Sequence, residues 1–117
     1  MVITRVVANI KTEQMDSARS FYGDVLGMEV AMDHGWIITL VGQGLAAPQI
    51  SFASEGGSGT PVPDLSLEVE NLDDTIRQIR GAGYDIEYGP VTEPWGVRRF
   101  FVRDPFGRLL NILSHNF

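Results

Sequence analysis

The chain has no cysteine, and that absence removes disulfide scaffolding, thiolate metal sites and cysteine nucleophiles together. Histidine is nearly as scarce, since His34 and His115 are the only two in 117 residues. No Ser-His-Asp or His-x-x-x-His constellation can be drawn from them. His34 precedes Gly35 in what reads as a hairpin turn, and His115 falls in the carboxy-terminal tail, so both are expected to be solvated surface residues. Positive charge is in deficit: 9 Lys and Arg stand against 15 Asp and Glu, for a net charge of −6. Apart from Arg98-Arg99 the basic residues are scattered, so no basic stripe exists to neutralise phosphates, which argues against nucleic acid as a partner. The acidic balance suits either a cationic ligand or plain solubility. No apolar run is long enough to cross a bilayer, so no membrane partner is expected. The amino terminus opens on a strand pattern instead of a basic and then apolar leader, and a cytoplasmic location is the expectation.

What the chain does contain, it contains twice. Alternation in Val2-Ile3-Thr4-Arg5-Val6-Val7-Ala8 predicts a strand, and a helix follows from about Glu13 to Leu26, ended by Gly27. Its buried face is Met15, Ala18, Phe21, Tyr22, Val25 and Leu26, at three-and-four spacing. Strands are predicted near 28 to 32, 36 to 42 and 48 to 54. The order then returns. Leu65-Ser66-Leu67-Glu68-Val69 alternates, and Asn71 N-caps a helix with Asp73 and Asp74 in its first turn and Leu72, Ile76 and Ile79 as its stripe. Gly81 and Gly83 end that helix, and strands are expected near 84 to 88, 97 to 103 and 108 to 114. The stretch Glu55-Gly56-Gly57-Ser58-Gly59-Thr60-Pro61-Val62-Pro63 has the composition of a flexible linker and falls at the repeat boundary. The pattern is therefore βαβββ twice within a single domain over residues 1 to 117: module 1 at 1 to 54, linker at 55 to 63, module 2 at 64 to 117.

Three segments carry a family resemblance: the helix ending Phe21-Tyr22-Gly23-Asp24-Val25-Leu26-Gly27-Met28, the helix entry Glu70-Asn71-Leu72-Asp73, and the hairpin Val102-Arg103-Asp104-Pro105-Phe106-Gly107. The chain resembles the vicinal oxygen chelate superfamily, which includes glyoxalase I, the bleomycin-resistance proteins and the extradiol dioxygenases. The resemblance implies an α+β fold in which two tandem βαβββ modules form an eight-stranded, open, cup-like mixed sheet with helices on the convex side. It also implies homodimers. Enzymes of the family hold a divalent metal on His and Glu side chains from the first and last strands of each module, where it acts as a Lewis acid. Counting from these segments, with a two-residue longer connection allowed before the first helix, puts those positions on Arg5, Asp64 and Asn111, and the last strand of the first module, Gln49-Ile50-Ser51-Phe52, puts Ser51 at the fourth. Guanidinium has no lone pair for a metal, and only Asp64 is a suitable ligand, so neither a metal site nor another cofactor is expected. An Arg5–Asp64 ion pair is the expected replacement.

Other candidates follow from alternation. Glu68 shares a face with Asp64 and Ser66; it reads as a general base, a holder of a cationic group, or a hydrated rim residue. Trp95, between Pro94 and Gly96, is expected at a pocket, while Trp36 suits a core or an interface at least as well. If 104 to 107 form a four-residue loop, Arg103 faces Arg108 and Phe100 faces Asn111, which puts Arg98, Phe100, Val102 and Leu109 on the face of Asn111. The ligand-binding set expected from sequence is therefore Arg5, Ser51, Asp64, Glu68, Trp95, Arg98, Phe100 and Asn111. The favoured function is a small-molecule (drug or metabolite) binding protein of the glyoxalase/bleomycin-resistance type without the family metal. The alternatives are a metal-dependent lyase, isomerase or dioxygenase of the same family, a metal-free enzyme using Glu68 or Asp64 as base, and a purely structural or partner-binding role.

Overall fold

A computed structural model describes residues 2–115. The strands are β1 (Ile3–Lys11), β2 (Glu29–Asp33), β3 (Ile37–Val41), β4 (Gln49–Ala53), β5 (Leu65–Val69), β6 (Ile86–Thr92), β7 (Arg98–Arg103) and β8 (Leu109–Ser114). The helices are α1 (Met15–Ala18), continued by a π-helical stretch over Arg19–Val25, and α2 (Leu72–Gly81). The fold is α+β, with strand order β2-β3-β4-β1-β5-β8-β7-β6 in an open mixed sheet. The β1·β4 and β5·β8 pairs are parallel, as crossovers through a helix require, and the hairpin-linked pairs are antiparallel.

Two compact units divide the chain, residues 7–62 and residues 2–6 with 63–115. The boundary therefore cuts β1. Its first half lies beside β5, where Glu70 N–H donates to Val2 O at 3.1 Å and Thr4 Oγ1 donates to Glu68 O at 3.3 Å. Its second half pairs with β4, Asn9 opposite Ser51. The module boundaries read from the repeat, at 54 and 64, assign all of β1 to the first module; the contacts assign its first residues to the second unit.

In the first unit Ala18, Ile38, Leu40 and Phe52 form the core, with Met15, Tyr22, Met28 and Ile50 packed against it. Its helix enters at Gln14 without a side-chain cap and leaves through a glycine: Gly27 has φ 81°, and Met28 N–H reaches back to Tyr22 O at 3.0 Å. Phe21, Val25 and Leu26, expected on the buried face, are exposed here because the π-helical turn rotates them off the α-helical stripe. The Gly-rich stretch after β4, read from composition as a flexible linker, makes hydrogen bonds within itself. Gly56 N–H donates to Thr60 O at 2.7 Å, Gly59 N–H to Glu55 Oε1 at 3.0 Å, and any Cβ on Gly56 would collide with the Pro61 carbonyl.

In the second unit Val69, Leu72, Ile76, Phe100, Val102 and Ile112 form the core, with Leu67, Ile79, Ile86 and Leu110 against it. Asn71 Oδ1 accepts from Asp74 N–H at 3.0 Å, the cap that its position before Leu72 predicts. Burying Leu72 and Ile76 contributes about 1.5–3 kcal/mol each and fixes which face of the sheet the helix covers. The other face carries the polar chemistry.

Candidate functional site

The register of the β7–β8 hairpin decides which side chains share that other face. Asp104 N–H donates to Arg108 O at 3.0 Å, so the loop proper is Pro105, Phe106 and Gly107, with Gly107 at φ 82°. Asp104 Oδ1 fixes this geometry by accepting from Phe106 N–H and Arg108 N–H, both at 2.9 Å. Such a loop ends in a left-handed bulge and sets Phe101 opposite Asn111 and Arg103 opposite Leu109. The expected four-residue loop placed the register one residue away, and each β7 side chain accordingly changes face. Phe100 is fully buried in the core against α2 and is no part of a ligand face. Arg98 also points to the helix side, its Nη1 donating to Asp73 Oδ1 of α2 at 2.7 Å. The guanidinium holds the Asp73 carboxyl below the usual carboxylate range, chiefly through this hydrogen bond.

With the register settled, Arg99, Phe101, Leu109, Asn111 and Leu113 lie on the face of Ser66 and Glu68. Asn111 Nδ2 donates to Ser66 Oγ at 3.1 Å across the parallel β5–β8 pair, while its Oδ1 is buried without a hydrogen-bond partner among the described residues. Glu68 sits nearer the end of β5. Its Oε1 meets Arg5 Nη2 at 3.0 Å and its Oε2 meets His115 Nδ1 at 2.9 Å. The Glu68 side chain is 22% exposed, against 36% for Arg5 and 50% for His115, so this end is reached by solvent.

Arg5 therefore pairs with Glu68 and not with Asp64. The lateral match of β1 to β5 determines the partner, and strand alternation alone does not specify it. Asp64 instead accepts from the Leu109 N–H at 2.8 Å, which ties the start of β5 to the start of β8, with Arg108 Nη1 at 3.9 Å. The two modules also correct the carry-over of the metal positions. Asn9 opposite Ser51 matches Ser66 opposite Asn111, so the residue matching Asp64 in the first module is the buried Val7 and not Arg5. Helix α1 follows Asn9 at the same distance as α2 follows Ser66, and no longer connection is needed. Val7, Ser51, Asp64 and Asn111 supply a single carboxylate, already bonded to backbone, and do not fit a resident divalent metal. Among the described residues no three His, Cys, Asp or Glu side chains are grouped to hold a metal ion. Ser51 lies in the first unit, where its Oγ shares a 2.7 Å hydrogen bond with Thr39 Oγ1.

Sequence reasoning missed a second polar cluster on β6 and β7. Arg99 and Glu93 form an ion pair at 2.6 Å with each side chain only 3% exposed. Arg99 Nε donates to Glu93 Oε2 at 2.7 Å, and Tyr88 OH donates to the same oxygen at 3.0 Å. The guanidinium lies 4.9 Å from the Trp95 ring centroid, 4.8 Å from Phe101 and 5.4 Å from Tyr88. Trp95, expected at a pocket, here packs on an internal cation. Gly89 (φ 79°) lets β6 lie close to the β7 backbone: a Cβ there would stand 2.6 Å from Arg99 O. The opposed charges of Glu93 and Arg99 around Pro94-Trp95-Gly96, with Tyr88 and Phe101 nearby, were the available sequence clue. His115 was the other omission, since a tail position says nothing of a partner 47 residues away.

Residues 4–112 match the sequence profile of the Glyoxalase/Bleomycin resistance protein/Dioxygenase superfamily. The chain belongs to this superfamily. Solved structures resemble the chain over nearly its whole length. A structure described as NAD-dependent benzaldehyde dehydrogenase from Legionella pneumophila aligns with TM-score 0.74 at 16% identity, covering 94% of this chain and 98% of that one. Methylmalonyl-CoA epimerase from Mycobacterium tuberculosis aligns with TM-score 0.71 at 21% identity, covering 96% and 88%. A single-substitution variant of Streptomyces coelicolor methylmalonyl-CoA epimerase, in complex with 2-nitronate-propionyl-CoA, aligns with TM-score 0.71 at 18% identity, covering 97% and 98%. At these identities the likeness is one of fold. No curated protein is a significant sequence match. Among the described residues no helix is long and apolar enough to cross a membrane.

Proposed function

We propose that this protein binds a small molecule, a drug or a metabolite, on the β5–β8–β7 face of its second unit without the family metal. The observation that carries the reading is the carboxylate of Glu68, which is partly exposed and grips Arg5 and His115 at one end of that face. Toward β8 the face continues with the Ser66–Asn111 bond and the unpartnered Asn111 oxygen, acceptors and donors suited to fixing a ligand's orientation. Relatives of the same fold include a methylmalonyl-CoA epimerase whose structure holds 2-nitronate-propionyl-CoA, which supports small-molecule capture as the general use of the scaffold. The metal-dependent alternative is disfavoured by the residue types at Val7, Ser51, Asp64 and Asn111. Homodimerisation, through apolar side chains such as the exposed Phe21, Val25 and Leu26, and a cytoplasmic location complete the proposal.

Calorimetric titration of chelator-treated protein with zinc, nickel, manganese and ferrous ions, followed by a small-molecule screen read as thermal shift, tests both halves. The expected result is no stoichiometric metal and at least one ligand that raises the melting temperature. One tightly bound metal per chain, or a broad screen without a single hit, contradicts it.

A further inference from the structure

Most of the polar groups on the described face are committed to each other, but the Glu68–His115 contact leaves chemistry over. His115 follows β8 in the alternation of Asn111 and Leu113, and its Nδ1 lies 2.9 Å from Glu68 Oε2. A carboxylate only accepts, so the imidazole nitrogen facing it carries the hydrogen, and the lone pair of the neutral ring is then on Nε2. Nε2 lies across the ring from Nδ1 and so points away from Glu68. The ring is half exposed, so that lone pair is presented where a small molecule reaches it. Arg5 Nη2 holds the other oxygen of the same carboxylate at 3.0 Å and so helps to fix the orientation of Glu68. A base oriented by a carboxylate is the arrangement that takes a proton from carbon or oxygen.

We infer that Glu68 and His115 form a metal-free proton-transfer site, with His115 Nε2 as the general base, Glu68 as the residue that fixes its tautomer, and Arg5 as the cation that holds the carboxylate's other oxygen. The inference deepens the small-molecule reading above and rests on it. The substrate class is a small molecule with a C–H or O–H whose conjugate base is an oxyanion. In the forward step the substrate proton moves to Nε2, the bonding electron pair stays on the substrate as the oxyanion, and Nδ1–H remains bonded to Glu68. Return of the proton from Nε2 to the same or a neighbouring atom restores the neutral ring, giving exchange or isomerisation with no oxidant or co-reactant. Neither Glu68 nor His115 is one of the positions at which the superfamily resemblance places metal ligands.

Two measurements on the full chain test the assignment. With histidine labelled in ¹⁵N, two-bond ¹H–¹⁵N spectra read the tautomer directly: His115 is expected as Nδ1–H, with that preference reduced in Glu68→Gln, while His34 serves as the internal reference. Base strength is read with 5-nitrobenzisoxazole, from which a base removes the C3 proton as the N–O bond breaks to release 2-cyano-4-nitrophenolate. The wild type is expected to exceed free imidazole at equal concentration by about tenfold or more, below the roughly 10²–10⁴ that fully positioned bases supply. His115→Gln and Glu68→Gln lose the excess, and His34→Gln keeps it. An Nε2–H tautomer at His115, a wild-type rate no greater than that of imidazole, or a rate unchanged in His115→Gln overturns the assignment. The tautomer needs no ligand to be observed, so failure of the small-molecule screen with both of these results intact would sink the binding reading alone.

Discussion

The two βαβββ units are built on one plan, yet corresponding places in them hold different chemistry. Where the second unit pairs Ser66 with Asn111 and adds Glu68, Arg5 and His115 at one end, the first pairs Asn9 with Ser51 and joins Ser51 to Thr39 by a neutral hydroxyl contact. The second unit also buries an ion pair between Arg99 of β7 and Glu93, just after β6. The helices differ in the same sense. Helix α2 is capped by Asn71, whereas α1 has no side-chain cap and passes into a π-helical stretch with Phe21, Val25 and Leu26 exposed. The repeat sets strand order and core positions; what each unit can do is set by the few side chains at strand ends and loops, where the repeat is free to diverge.

The largest test of that contrast is at the buried pair. Glu93→Ala leaves the Arg99 charge buried with its principal counter-ion gone and is expected to cost about 3–5 kcal/mol in urea unfolding, while Glu93→Leu combined with Arg99→Leu restores most of it. In the first unit, Ser51→Ala removes a neutral hydroxyl bond and is expected to cost only about 1–3 kcal/mol, through the Thr39 hydroxyl left unpaired. Equal losses at the two sites would erase the distinction. A smaller contrast lies in the caps: Asn71→Ala is expected to cost about 1 kcal/mol, and Gln14→Ala close to nothing, because only Asn71 holds a helix N–H. A comparable loss at Gln14 would show the first helix to be better anchored than its contacts imply.

The smallest effect is pH-dependent. Arg98 holds the Asp73 carboxyl below its ordinary value, so the contribution of this pair is fully present above the unfolded carboxylate pKa and is lost as pH falls through the lower folded value. Asp73→Asn should therefore lower the melting temperature slightly near neutrality and make no difference in strong acid. A gap that widens as the pH falls would reverse the sign.

The sequence made the fold legible because its punctuation is strong: Gly27 and Gly83 both adopt positive φ after helices, Asn71 is a cap, and every strand predicted from alternation is present within a few residues. The site was less legible, for reasons of register. Asp104-Pro105-Phe106-Gly107 announces a turn but does not state its length, and one residue of difference exchanged Phe100 for Phe101 and Arg98 for Arg99. The partner of Arg5 depends on how β1 lies against β5, which alternation cannot specify. Glu68 was identified as a candidate base, but the His115 that completes it lies beyond the patterned sequence. Within the Glu55 to Pro63 linker, glycine also serves tight turns, which composition alone does not distinguish from loose chain.

The proposal assigns ligand chemistry to the β5–β8–β7 face of the second unit. The most direct test is to map a ligand found by thermal shift with backbone-assigned ¹H–¹⁵N spectra. Shift changes are expected to cluster on Ser66, Glu68, Asn111, Leu113 and His115, and to be reduced or lost when Glu68 is replaced by glutamine. Changes centred instead on Asn9, Thr39 and Ser51, with Glu68→Gln binding as the wild type does, would contradict it.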